Sequence, residues 1–126
     1  MKAKLQTFWK NFVYLIIDGY SMISKSFLVK LSKNIRIGKS KGSAENPESS
    51  HDSNSLGFSG INVILCGDLH QFPPVAGAKQ DSLYFSPHSM DSIDLKTGWM
   101  IYKEFKTVVV LWEQVQVMDI GWWNFL

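Results

Sequence analysis

Cysteine occurs once, at Cys66, so no disulfide can form within the chain, which suits a reducing compartment. Leu65 and Gly67 beside it supply neither a base nor a positive charge, and the apolar run around it predicts a buried, unreactive thiol. Long apolar runs are scarce. The longest early one, Phe12 to Ile17, is cut by Asp18 and falls far short of the ~20 residues that cross a bilayer. The basic stretch before it, Met1 to Lys10, is followed by no small-residue cleavage site, which argues against a secretory signal. It leaves a mitochondrial presequence open, although it contains no arginine. Acidic residues are absent between Asp18 and Glu45, where Lys25, Lys30, Lys33, Arg36, Lys39 and Lys41 fall. That run reads either as a solvated helix face continuing into a loop or as a surface facing phosphates.

What the chain does have is the composition of a folded domain. Its 126 residues suit one domain, and 45% hydrophobic with 13% aromatic content is enough to build a core. The formal charge of +2 does not by itself point to nucleic acid. Val13-Tyr14-Leu15-Ile16-Ile17-Asp18 and Ile61-Asn62-Val63-Ile64-Leu65-Cys66 are short, largely β-branched runs. Their continuous hydrophobicity predicts strands covered on both faces, as in a parallel sheet. Thr107 to Leu111 predicts a third. Between the first two, Ser21 or Ser24 can cap a helix whose apolar stripe is Ile23, Phe27, Leu31 and Ile35, with Leu28 flanking and Gly38 ending it. Residues 39–57, rich in Ser, Asn, Gly and charge, predict a flexible surface insertion. Residues 80–97 read as a loop, and 98–105 as a short amphipathic helix. No internal repeat is present. Strand, helix, long loop, strand, connection, strand is an α/β order, with segments long enough for parallel crossovers.

Two of these strands end in carboxylates. In open α/β sheets, sites lie beyond the carboxyl ends of the strands. Asp18 there can hold a carboxylate beside a phosphate-bound Mg²⁺. Gly67-Asp68 followed by Gln71 can bring an amide to a terminal phosphate, with Gly67 permitting close approach and Pro73-Pro74 stiffening the loop. This is an arrangement for nucleotide hydrolysis. For Asp68 the competing reading is a strand-end cap, and for His70 an ordinary loop histidine.

Gly67-Asp68-Leu69-His70-Gln71-Phe72-Pro73-Pro74-Val75 closely resembles helicase motif III of the Pif-type DNA helicases, relatives of the RecD branch of helicase superfamily one. Leu15-Ile16-Ile17-Asp18-Gly19-Tyr20-Ser21-Met22-Ile23 resembles that family's Walker B segment, and Leu111-Trp112-Glu113-Gln114-Val115-Gln116 its next motif. The resemblance, in this order over nearly the whole chain, implies a partial RecA-like P-loop NTPase domain with a mainly parallel sheet. It implies ATP and Mg²⁺ as cofactors, single-stranded DNA as partner, and roles in repair, recombination and telomere maintenance. A location in the nucleus follows, with the mitochondrion as the alternative. By the same resemblance Asp18 would hold Mg²⁺ through water, Gln71 would contact the γ-phosphate and Asp68 would support it. His70 and Phe72 would sit in the loop that relays nucleotide state towards DNA.

The departures from the family pattern are specific. Gly19 stands where the family has the Glu that activates water, a general base worth ~10²–10⁴ in rate. Gln116 stands where it has an Arg worth ~10³–10⁵. Gly38-Lys39-Ser40 imitates the end of a phosphate loop, but Lys33 replaces the first Gly of G-x-x-x-x-G-K-[ST] and the segment follows a helix and the Walker B strand. The expectation is a motor-domain piece, 1–126, ending in the aromatic stretch 112–126. It lacks the phosphate-loop strand and the second motor domain, and is inactive alone. The competing expectation is a non-enzymatic remnant that binds single strands or proteins through the basic stretch and Trp112, Trp122 and Trp123.

Overall fold

A computed structural model describes residues 2–40, 57–75 and 79–113. The elements are α1 (Lys2–Trp9), β1 (Tyr14–Asp18), a 3₁₀ turn (Tyr20–Met22), α2 (Lys25–Lys39), β2 (Asn62–Cys66), a second 3₁₀ turn (Lys79–Asp81) and α3 (Ile93–Tyr102). β1 and β2 pair in parallel, with Tyr14 opposite Asn62, Ile16 opposite Ile64 and Asp18 opposite Cys66. The α/β expectation holds at this level. Among the described residues no helix is long and apolar enough to cross a membrane.

The sheet is covered on one face only, which corrects the expectation of strands buried on both. Residues paired across a parallel ladder share a face. Leu15 and Val63 pack against the buried cluster of Leu28, Val29, Ile35, Phe58, Ile61, Leu83 and Ile101. Tyr14, Ile16 and Ile64 lie on the other face and are exposed. Cys66 belongs to that open face and is exposed as well, so the buried thiol is also corrected. Side chains alternate along a strand, and Cys66 has the parity of Asn62 and Ile64 rather than of Val63 and Leu65.

Ser24 caps α2: its hydroxyl accepts from the Phe27 amide at 3.0 Å, leaving Ser21 inside the 3₁₀ turn. Arg36 and Lys39 close the last turn, where cations complement the exposed carbonyls. The buried stripe is Lys25, Leu28, Val29, Ser32, Ile35 and Gly38, while Phe27 is half exposed. Steps of four residues overshoot a 3.6-residue turn by about 40° each, so the stripe 23-27-31-35 drifts off the core face. Gly38 does not end α2. It meets Trp9 of α1, where a Cβ would stand 2.5 Å from Trp9 Cδ1. Lys39 remains helical, and Gly57, at the far end of the expected insertion, is buried and accepts from the Ser32 hydroxyl at 3.2 Å. Residues 41–56 lie outside the described residues.

α1 was not anticipated; its Lys, Ala, Leu and Gln are good helix formers, and Leu5 and Trp9 anchor it on α2. α3 begins at Ile93, inside the expected loop, because the Ser92 hydroxyl accepts from the Leu95 amide at 3.3 Å. Gly98 therefore sits within the helix. It admits the α2 backbone: a Cβ there would lie 2.5 Å from the Lys25 carbonyl oxygen. Residues 107–111 form no strand and are exposed. β-branched residues favour a pleated surface only when another strand lies beside them, and among the described residues none pairs with this segment.

Candidate nucleotide-facing edge

The carboxyl ends of β1 and β2 are joined by two glycines. Gly19 adopts a left-handed backbone (φ 67, ψ 39) and starts the 3₁₀ turn. Gly67 takes φ 138, a conformation essentially restricted to glycine, and rests on the Gly19–Tyr20 segment. A Cβ at Gly67 would stand 3.2 Å from the Tyr20 backbone nitrogen and 3.4 Å from Gly19 Cα. The turn after β2 is thereby held against the turn after β1.

Asp18 ends β1 exposed, and its Oδ1 accepts from the Gly19 amide at 2.8 Å. Asp68 caps its own turn. Its Oδ1 accepts from the His70 amide at 2.9 Å and lies 3.0 Å from His70 Nδ1. The His70 backbone N–H first, and its ring second, hold the Asp68 carboxyl below its ordinary range. The His70 side chain is 96% exposed, so this contact adds little stability. Gln71 donates its amide to the Asp68 carbonyl at 3.1 Å, closing the turn, while its side chain points outward with no hydrogen-bond partner among the described residues. Phe72 is 80% exposed.

Asp18 and Asp68 thus lie at adjacent strand ends, with Gln71 one turn further out. Tyr20, a residue given no role by its sequence context, lies against Gly67. Burial raises its hydroxyl above the ordinary value, followed by the charges of Tyr102 and Asp68. Its proximity to Asp68 is a tertiary fact with no local sequence signal.

The donor set fits Mg–ATP only on its metal side. Asp18 is a single carboxylate, suited to holding a cation through water. Among the described residues no group of three or more His, Cys, Asp or Glu side chains could hold a metal directly. Residues 57–75 contain no Lys or Arg for phosphate. Gly38-Lys39-Ser40 supplies none at this edge: Lys39 Nζ donates to the Phe12 carbonyl at 2.7 Å, before β1 begins. Trp112 and Glu113 are exposed and irregular, and Gln114 to Gln116 lie outside the described residues.

The PIF1-like helicase family matches residues 1–119. The chain belongs to that family. Its order of segments, Asp18 before the Gly67 turn, now has a structural counterpart in two adjacent parallel strands. The chain is also similar to the uncharacterized protein 030L of Invertebrate iridescent virus 6, 34% identical over 91 residues. That match covers 72% of this chain but 14% of the viral protein. No solved structure matches.

Proposed function

We propose that this PIF1-like chain is a piece of the first, RecA-like motor domain of an ATP-dependent DNA helicase. In the complete protein, ATP hydrolysis would drive unwinding in repair, recombination and telomere maintenance, in the nucleus or mitochondrion. Within it, Asp18 holds Mg²⁺ through water, Gln71 reads the γ-phosphate and Asp68 fixes the turn that carries Gln71. The observation that carries this reading is the seating of Gly67 on Gly19–Tyr20, which makes one continuous edge of two strand ends.

The chain by itself does not turn over ATP. Gly19 offers no carboxylate to take a proton from water, and residues 57–75, which carry the Asp68 turn, contain no Lys or Arg to meet the charge of a transferring phosphoryl group. The test is steady-state ATP hydrolysis with Mg²⁺ and single-stranded DNA, comparing the chain with its Asp18→Asn variant. Background rates from both are expected. Turnover abolished by Asp18→Asn would overturn the inactivity while supporting the site. A complementary observation is the reading frame upstream of Met1, where a phosphate-loop segment is expected.

A further inference from the structure

β2 presents an open strand edge. The Asn62 amide donates to the Val13 carbonyl at 2.9 Å, and backbone groups alternate sides along a paired strand. Asn62, Ile64 and Cys66 therefore face β1, while the N–H and C=O groups of Val63 and Leu65 face away from it. Among the described residues no third strand takes them up. β2 contains neither a charged residue nor a proline, the features that ordinarily shield an edge. The outer edge of β1 differs, since that strand ends in the charge of Asp18. Beside the amino end of β2 lies an open groove of about 280 Å³, whose lining includes Asn62, Val63, Ile101, Glu104 and Phe105.

The same chain carries a strand-forming segment with no strand beside it. Val108, Val109, Val110, Leu111 and Trp112 are consecutive and between 56% and 88% exposed. Such β-branched and aromatic residues suit a pleated surface, yet no backbone group of residues 107–113 makes a hydrogen bond among the described residues. The segment departs from the groove itself: Lys106 alone separates it from Phe105, whose ring centroid lies 6.2 Å from that of Phe58. It does not pair with its own β2.

We propose that two copies of this chain exchange strands, residues 107–112 of each adding to the β2 edge of the other at Val63 and Leu65. An edge and an unpaired segment on one chain are reciprocal, so a two-fold pair closes both edges at once. Seating one segment holds the second near its edge, which makes the second step effectively intramolecular. An unrelated strand would close one edge and leave the segment bare, which is why a second copy is the better occupant. In the seated strand alternate side chains point to opposite faces. One set extends the apolar row of Ile16 and Ile64, and the other enters the groove beside Ile101 and Phe105. A run with no polar alternation suits apolar neighbours on both faces. The exchange needs neither ATP nor Mg²⁺ and stands whether or not the proposed motor role does.

The test is sedimentation velocity of the full chain, which should show a dimer. Neighbouring residues of a strand turn their amides to opposite sides, so Val108→Pro/Val109→Pro removes a donor from the ladder in either register. It should raise the dimer dissociation constant at least about tenfold. Val108→Thr/Val109→Thr, still β-branched, should change it by no more than about threefold. Cys66 is the one native thiol, which allows the contact to be mapped. Thr107→Cys, Val108→Cys, Val109→Cys, Val110→Cys and Leu111→Cys are made singly and mildly oxidised. Disulfides between the introduced thiol and Cys66 of the other copy are expected at alternate positions, seen as dimers on a non-reducing gel and assigned by peptide mapping. Circular dichroism verifies the fold of each variant, and if the proline variant unfolds, the cysteine series decides. A monomer at high concentration, or unchanged association in a folded proline variant, would overturn the proposal. So would disulfides that form within one chain, or only between two Cys66 thiols as association through the open sheet face would give.

Discussion

Gly67 lies against Tyr20 so closely that a Cβ at Gly67 would stand 3.1 Å from Tyr20 Cδ1. This contact ties the Asp68 turn to the end of β1, and it depends on the absence of a side chain. Gly67→Ala meets backbone as well as ring, at φ 138. It should destabilise the chain by roughly 1–3 kcal/mol, measured by urea unfolding. A stability equal to that of the unaltered chain would show that the two turns are not held together in this way.

Restoring the family's glutamate should not restore activity. Gly19→Glu places a side chain at φ 67 with its Cβ 2.9 Å from Met22 Cε. A left-handed backbone at a non-glycine residue costs about 1–2 kcal/mol. A lower melting temperature and no ATP turnover are expected; gain of turnover would mean that the glutamate was the only missing part.

Lys25 is fully buried, its Nζ donating to the Gln80 carbonyl at 2.5 Å. Burial lowers its pKa below 10.5, against the opposing pull of Asp81 and Asp91. The unfolded chain then binds this proton more tightly than the folded one. Lys25 therefore makes stability rise with pH between its lowered value and 10.5. Lys25→Met keeps the packing beside Gly98 and should flatten that rise, read from denaturation midpoints across alkaline pH. Lys25→Ala should lose about 2–3 kcal/mol by opening a cavity.

Asp68 is held below its ordinary value of 3.8 chiefly by the His70 backbone amide, with the ring second. Its contribution is present above 3.8 and is lost as pH falls through the folded value. His70→Ala removes the ring and keeps the amide. Carboxyl carbon NMR titration should show the Asp68 pKa moving up part of the way, still depressed. A complete return to 3.8 would assign the effect to the ring alone.

The open sheet face should promote self-association. Tyr14, Ile16 and Ile64 are 63%, 65% and 45% exposed, and among the described residues each strand has one unpaired edge, a combination that invites pairing between chains. Sedimentation velocity should show concentration-dependent oligomers, reduced by Ile16→Lys/Ile64→Lys. A monodisperse monomer at high concentration would remove this reading.

The two strands were legible because a short β-branched run ended by Asp or Gly-Asp has few other ways to fold. The Ser24 cap was legible because a hydroxyl three residues before an amide is a local geometry. The expected third strand at Thr107 to Leu111 was not legible, because strand formation needs a neighbour that sequence periodicity does not contain. The α2 core stripe was misplaced for a related reason: Leu28, Val29 and Ile35 are selected by what packs on them, and a lysine, Lys25, shares their face.

By itself the sequence determined the two strand segments, the capped helix between them, and the turn chemistry of Gly67-Asp68 through Gln71, since each depends on residues close in the chain. Tertiary structure alone decided that Gly67 seats on Tyr20, that Gly38 and Gly98 receive Trp9 and the Lys25 backbone, and that Cys66 faces outward. It also decided that the basic run divides, with Lys25 buried and Lys33 paired to Asp94. Those outcomes depend on which surfaces meet. Close packing between elements distant in sequence selects them, and no local propensity encodes that choice.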